Sequence, residues 1–181
     1  TPTGTIKTFT AGYGSGATAI NTAGLITGYW LSDKQYGYVR DKAGNMSSFD
    51  PPGSMGALPT AINTAGEITG YYYDTNLIYH GFLREPDETF TTFDAPGASS
   101  VIMTAGTTPK GIDSNGDIAG CFVNDSYQTL GFVRDRAGNF HTVTAPDGSS
   151  TCITAMAPTG KIIGYANNHG FRAFPGLWKK D

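Results

Sequence analysis

The sequence predicts an all-β protein, and within that class a four-bladed β-propeller with four-stranded antiparallel blades. A motif returns four times at intervals of about 45 residues. Each copy consists of short runs rich in Thr, Ile, Tyr and Phe, bounded by Gly, Pro, Asn and Asp, which is typical of strands and turns. No segment shows sustained helical periodicity. The part that is missing from the last copy occurs at the start of the chain.

The first two strands of each unit are predicted from the strongest motif, which reads TAINTAGLITGY in the first copy. A glycine in the middle of the motif suits a tight hairpin that needs positive φ. An Ile-x-Gly-aromatic strand follows this turn. The copies are Thr18–Tyr29, Thr60–Tyr71, Lys110–Cys121 and Thr154–Tyr165.

Two shorter motifs predict the third and fourth strands. The third strand is based on Gly-aromatic-aliphatic-Arg and the fourth on a Phe-Thr-Thr-Phe-Asp pattern. Third strands are predicted at Tyr36–Asp41, His80–Glu85, Leu130–Asp135 and His169–Arg172, and fourth strands at Met46–Asp50, Phe90–Asp94 and Phe140–Thr144. The blade units are therefore approximately 17–50, 59–94, 108–145 and 152–175.

Ring closure is predicted from the start of the chain. Ile6–Thr10 matches the fourth-strand motif, so residues 4–10 are expected to pair with the last unit and complete its blade. Such closure removes the open sheet edges that invite aggregation. The alternative is a single-layer solenoid, which would need no fourth-strand fragment at the N-terminus.

Composition excludes several classes of protein. The 181 residues hold 12 Lys and Arg against 15 Asp and Glu, a net charge of −3, which does not suit a nucleic-acid binder. A hydrophobic content of 39% argues against disorder. No apolar run reaches the roughly 18 residues of a membrane span. Few lysines and abundant Thr, Gly, Asn and Tyr favour a secreted protein.

The second unit carries a resemblance to a known family. Its pattern Ala-Ile-Asn-x-x-Gly-x-Ile-x-Gly-Tyr, followed by His-Gly-Phe-Leu-Arg and Phe-Thr-Thr-Phe-Asp-x-Pro-Gly, resembles the HAF-type "probable extracellular" repeats of environmental bacteria. The resemblance extends over nearly the whole chain, although Asp113 and Ala157 replace the Asn, Cys121 replaces the Tyr and Pro158 interrupts the turn. It implies an extracellular bacterial repeat protein and supplies no catalytic residues.

No catalytic residue, metal ligand or cofactor is predicted. His80 and His169 share one repeat position, which favours packing or a turn hydrogen bond over catalysis. The stretch Gly12–Gly16 has the wrong spacing for a nucleophile elbow. Cysteines form no CxxC pair or Cys/His cluster that would indicate zinc.

Three candidate features remain on or near the repeat. The aromatic side chains of Trp30, Tyr72 and Tyr127 are expected to face solvent and are candidates for stacking on a glycan or a protein partner. Polar residues that end the inner strands, Asn21, Asn63 and Asp113, are a possible axial ring, holding Ca²⁺, water or nothing. Cys121 and Cys152 are a possible disulfide between adjacent blades.

Two segments that depart from the repeat are candidate assembly contacts. The linker Ala95–Pro109 is longer than its counterparts and contains the apolar triplet Val101, Ile102 and Met103. The C-terminal tail contains Trp178. Apolar groups on a surface insertion either cover the core or form contacts.

The predicted function is a non-catalytic, extracellular structural or interaction module that assembles into an oligomer or filament, or binds another extracellular surface partner. The first alternative is a lectin-like propeller that binds carbohydrate through its aromatics. The second is a hydrolase or lyase acting on polysaccharide, which would need a convergent acid/base pair.

Overall fold

The computed structural model describes residue 4 and residues 7–177, and these form an all-β structure, which confirms the predicted class. The strands pair into sheets of eight, four and three strands. A single 3₁₀ turn, Pro175–Leu177, ends the described chain. The strands are β1 Gly16–Ile20, β2 Ile26–Leu31, β3 Gln35–Arg40, β4 Met46–Phe49, β5 Gly56–Ile62, β6 Ile68–Tyr73, β7 Tyr79–Arg84, β8 Phe90–Phe93, β9 Thr107–Ile112, β10 Ile118–Val123, β11 Thr129–Arg134, β12 Phe140–Val143, β13 Thr151–Met156, β14 Ile162–Ala166 and β15 His169–Ala173.

Each repeat of the sequence forms an antiparallel meander. The first unit is β1–β4, the second β5–β8, the third β9–β12 and the fourth β13–β15. One parallel pair, Gln35 with Gly56, joins the first two units into the eight-stranded sheet. A similar parallel bridge links Tyr79 to Gly106, between the second and third units.

The Ile-x-Gly motif has a steric cause. The first strand of every unit carries a register shift at the same place, for example between Pro59 and Ala61. The glycine of the second strand faces this bulge, and a Cβ on Gly70 would overlap the carbonyl oxygen of Leu58. Glycine is therefore required where the backbones approach most closely.

The apolar core lies between successive units. One cluster joins the first and second units around Phe49 and Phe82, a second joins the second and third around Phe93 and Phe132, and a third contains Ile153 and residues of both the third and fourth units. These large, fully buried side chains supply most of the expected hydrophobic stabilisation, at roughly 25 cal/mol per Å² of apolar surface.

An arginine of one unit stacks on a phenylalanine of the preceding unit. The guanidinium carbon of Arg84 lies 5.1 Å from the ring centre of Phe49, and that of Arg134 lies 4.9 Å from Phe93. Arg40 of the first unit makes the same contact, at 4.6 Å, with Phe9. Phe9 thus contacts an arginine of the first unit as the phenylalanines of β4 and β8 contact arginines of the second and third units.

No strand pairing between the first and last units occurs among the described residues. Residues 7–10 form no strand, and Ile6, which the predicted pairing includes, lies outside the described part of the chain. The face of the fourth unit that would meet the first is open: Ile163 is 54% exposed, whereas the corresponding Thr27, Thr69 and Ala119 are fully buried. The described strands therefore establish the four meanders and their order, without a closed ring.

The two cysteines are bonded to each other. Cys121 on β10 and Cys152 on β13 form a disulfide with Cα atoms 5.0 Å apart, within the usual range. The bond joins the third unit to the fourth, and the possible disulfide between adjacent units is therefore present. It adds a covalent link to the apolar cluster that the two units share.

Candidate functional site

The most distinctive surface is an insertion loop, residues 99–106, between β8 and β9. Its start is fixed by Ser99, which is 2% exposed, and whose backbone N–H donates to the carbonyl oxygen of Val123 at 2.8 Å. Its end is fixed by Thr104, whose N–H donates to the carbonyl oxygen of Leu77 at 2.8 Å. The loop is therefore anchored on the third unit at one side and the second unit at the other.

The insertion loop presents apolar side chains to solvent. Val101 is 74% and Met103 is 61% exposed, while Ile102 between them is half-buried. The Ser99 hydroxyl accepts the N–H of Ile102 at 3.0 Å, which holds this triplet in shape. These three residues are the assembly contacts predicted from the sequence, and two of them lie on the surface. Trp178, the fourth predicted contact, lies outside the described residues.

A groove of about 480 Å³ separates the insertion loop from the turn between β6 and β7. None of the described residues that line it is charged. Its lining residues are Thr75, Asn76, Leu77, Ile78, Ser100, Val101 and Met103. The exposed side chains of Val101 and Met103 thus face the same groove as Leu77, and we call these three residues the loop patch.

Leu77 itself was missed by sequence reasoning. It occupies the fourth position of a five-residue turn in which the Asp74 carboxylate accepts the N–H groups of Asn76 and Ile78. That position has positive φ, 62° at Leu77, and the equivalent position of other turns in the chain is glycine, as at Gly24 and Gly66. A recognisable signal existed: a large apolar residue where the local turn chemistry favours glycine.

Tyr127 repeats this arrangement in the third unit. Its φ is 59°, and its side chain is 75% exposed at the tip of a turn closed by the Asn124 side chain. The prediction that Tyr127 faces solvent is confirmed. By contrast, Glu88 has the same unusual backbone, but its carboxylate receives a 2.9 Å hydrogen bond from Arg84 within the chain.

The other two predicted ligand-binding aromatics are less accessible. The prediction that Tyr72 faces solvent is wrong: it is 8% exposed and belongs to the core between the first and second units. Trp30 is half-buried, stacks on Tyr36 with ring centres 5.3 Å apart, and donates its indole N–H to the Ser48 hydroxyl at 3.0 Å. The Trp30 ring is therefore occupied by contacts within its own unit, and the Tyr72 ring by the core that the first two units share.

His80 lies in a polar cluster of the second unit. Its Nδ1 is 3.0 Å from both carboxylate oxygens of Asp94, and its Nε2 is 3.8 Å from Asp74. Partial burial of Asp74 opposes its ionisation, but N–H groups of Ile78 and Asn76 and the nearby His80 outweigh it, so the pKa of Asp74 lies below its usual value. The cluster connects the β6–β7 turn to the end of β8.

The predicted axial ring forms a hydrogen-bonded ladder instead of an ion cage. The Asn21 amide nitrogen donates to the carbonyl oxygen of Asn63 at 2.9 Å, and that of Asn63 donates to the carbonyl oxygen of Asp113 at 3.0 Å. The side-chain Oδ1 atom of each residue accepts N–H groups of its own turn. The side-chain atoms that reach from one unit to the next are therefore amide nitrogens. A nitrogen that donates a hydrogen bond cannot also ligate a cation.

A second carboxylate cluster spans the second and third units beside this ladder. The buried Glu67 carboxylate accepts hydrogen bonds from Arg136, at 2.8 Å, and from the Asn63 amide. Burial and the neighbouring Glu67 raise the pKa of Glu85 above its usual value. Within the described part of the chain, no group of three or more His, Cys, Asp or Glu residues is placed to hold a metal ion.

An axial cavity of about 230 Å³ opens at the end of the inner strands where this ladder lies. Residues of all four units line it, including Ile20, Ile62, Ile112 and Met156. Its lining combines these apolar side chains with polar ones, among them Asn21, Asn63, Thr64 and Ser114, and no charged residue is among the described residues that line it.

No protein-family model matches the chain, and no curated protein is significantly similar to it. The described residues contain no apolar helix of the length that a membrane crossing requires.

Proposed function

We propose that the protein is a non-catalytic, extracellular structural module that associates with further copies of itself through the loop patch. The observation that carries this proposal is the exposure of Val101 and Met103, 74% and 61%, on a loop held by hydrogen bonds at both ends. Exposed apolar groups on an ordered surface are typical of interaction sites. An anchored loop also loses little conformational freedom on binding, which favours affinity.

The backbone of the loop patch supports the same proposal. Leu77 adopts a left-handed conformation that is unfavourable for a residue with a side chain by roughly 1 kcal/mol or more. Its side chain nevertheless remains 38% exposed beside the groove. Residues whose backbone is strained, and whose side chains make few stabilising contacts within their own chain, are characteristic of functional surfaces.

The scaffold that we propose is the closed four-bladed propeller. The contact of Phe9 with Arg40 matches Phe49 with Arg84 and Phe93 with Arg134, which supports a fourth-strand position for the start of the chain. The segment that follows Phe9 also matches the segments that follow the fourth strands of other units. The N–H of Ala11 donates to the Ser15 hydroxyl at 3.3 Å, as Ala95 does to Thr107 and Ala145 to Thr151. The axial cavity, lined by all four units, supports a circular arrangement.

Light scattering over a range of concentrations tests the association. We expect the native chain to form oligomers or filaments, and the double variant Val101→Asp, Met103→Asp to remain monomeric because charge at the patch opposes burial. Tyr13, 87% exposed and outside the groove, provides the matched control Tyr13→Asp, which should assemble normally. A native chain that stays monomeric at high concentration would refute the proposal.

Carbohydrate binding is a second candidate, favoured by Tyr127. Its ring is 75% exposed between the side chains of Ser126 and Gln128, and such a mixture of an aromatic face and polar groups suits a sugar. Binding to a glycan array that disappears in Tyr127→Ala would support this function. Equal binding by both proteins would exclude Tyr127 as its site.

A further inference from the structure

The axial cavity is an acceptor for an uncharged, apolar group. Aliphatic side chains from different units line it, Ile20, Ile62 and Ile112 among them, and Met156 adds a flexible thioether. Ile20 is 66% exposed at the opening, although it is a large aliphatic residue. The volume of about 230 Å³ is of the size of one or two aliphatic side chains rather than of a long ligand.

The loop patch is the matching donor. Val101 and Met103 protrude from the surface, carry no charge and are supported by an anchored backbone. An uncharged apolar cavity and an uncharged apolar projection are complementary, since each leaves water without leaving a buried charge unpaired.

The two surfaces lie at opposite ends of the same strand. The insertion loop leads directly into β9 at Thr107, and β9 ends at Ile112 in the wall of the axial cavity. Six residues of strand separate them by about 20 Å. The loop of one copy therefore cannot reach its own cavity, but it can reach the cavity of another.

We propose that the loop patch of one copy docks in the axial cavity of a second copy, so that the chains assemble head to tail. The inference rests on the proposed self-association and names its acceptor. Because donor and acceptor are different surfaces, each added copy retains one free loop and one free cavity. Such a heterologous contact generates a ring if the rotation closes and an open filament if it does not.

Complementation between two variants tests this arrangement. The donor variant carries Val101→Asp and Met103→Asp, and the acceptor variant carries Ile20→Asp and Thr64→Asp at the cavity mouth, so that the altered surfaces repel each other. We expect each variant alone to lose affinity by about 30-fold or more and remain monomeric. An equimolar mixture retains one intact loop and one intact cavity, and we expect it to form dimers with a 1:1 composition.

Each outcome of this experiment has a distinct meaning. An acceptor variant that assembles like the native chain, or a mixture that remains monomeric, would overturn the head-to-tail arrangement while leaving self-association through the loop intact. A native chain that is monomeric throughout would overturn both. Far-UV circular dichroism and thermal unfolding of each variant, with Tyr13→Asp as control, establish that lost assembly is not lost folding.

Discussion

Substitution of Leu77 should have different effects on the stability of the fold and on self-association. Its φ of 62° lies in the region that favours glycine. Leu77→Gly should therefore leave the free energy of unfolding unchanged or raise it by up to about 1 kcal/mol, although a side chain is removed. The same variant should weaken self-association because the groove loses part of its wall. Urea unfolding and light scattering measure the two effects, and a clear loss of stability would show that Leu77 serves the core.

Glu85 makes a pH-dependent contribution of predictable sign. Its pKa in the folded protein is raised above the ordinary 4.5 by burial and by Glu67, so ionised Glu85 is less favourable in the folded than in the unfolded chain. This cost is present at neutral pH and disappears as pH falls below about 4.5. Glu85→Gln should therefore stabilise the protein at pH 7 and have no such effect at low pH, in denaturant titrations at both values.

Asp87 provides the matched control two positions away. Hydrogen bonds from the Thr89 hydroxyl and N–H lower its pKa. A carboxylate whose pKa is lowered by folding stabilises the folded state at pH values above its pKa in the unfolded chain. This contribution is lost as the pH falls. Asp87→Ala should therefore destabilise the protein at pH 7, opposite in sign to Glu85→Gln. The same sign for both variants would contradict the assigned causes.

At the scale of elements, the disulfide holds the weakest sheet. The fourth unit has three described strands, and its outer face is exposed at Ile163 and Tyr165. The Cys121–Cys152 bond closes a segment with a sequence separation of 31 residues, for which the chain-entropy relation gives roughly 3.7 kcal/mol. Reduction should lower the free energy of unfolding by about this amount in urea titrations.

Hydrogen exchange locates the effect of reduction. Amides of β13–β15 should lose protection before those of the second unit, whose strands lie between two neighbouring units. A uniform loss of protection over all units would instead indicate a single cooperative structure in which the bond has no local role.

At the scale of the whole molecule, ring closure predicts a specific pair of neighbours. If the start of the chain adopts the fourth-strand register seen in the first unit, where Val39 faces Ser47, Lys7 will lie opposite Arg172. Both residues are exposed. Lys7→Cys with Arg172→Cys should form an additional intramolecular disulfide in dilute solution, detected by mass spectrometry. Lys7→Cys with Lys42→Cys should not, and a bond formed only between molecules would contradict closure within one chain.

The sequence left the Cys121–Cys152 disulfide open, because that bond joins two units, but it determined the repeat and the four strands of each complete unit. These features depend on short-range causes: glycine at positive φ in Gly24, close backbone contact at Gly70, and alternation along six-residue strands. Such causes act within a few residues or across one hairpin, and a local sequence motif is therefore enough to predict them.

Only the tertiary structure decided which aromatic and apolar groups remain accessible. Tyr72 and Tyr127 looked alike in the sequence, but a neighbouring unit covers the first, whereas a turn projects the second into solvent. The apolar wall of the axial cavity likewise combines Ile20 with Met156, far apart in the chain. Exposure is set by how units pack against one another, and that packing joins residues whose proximity no local pattern encodes.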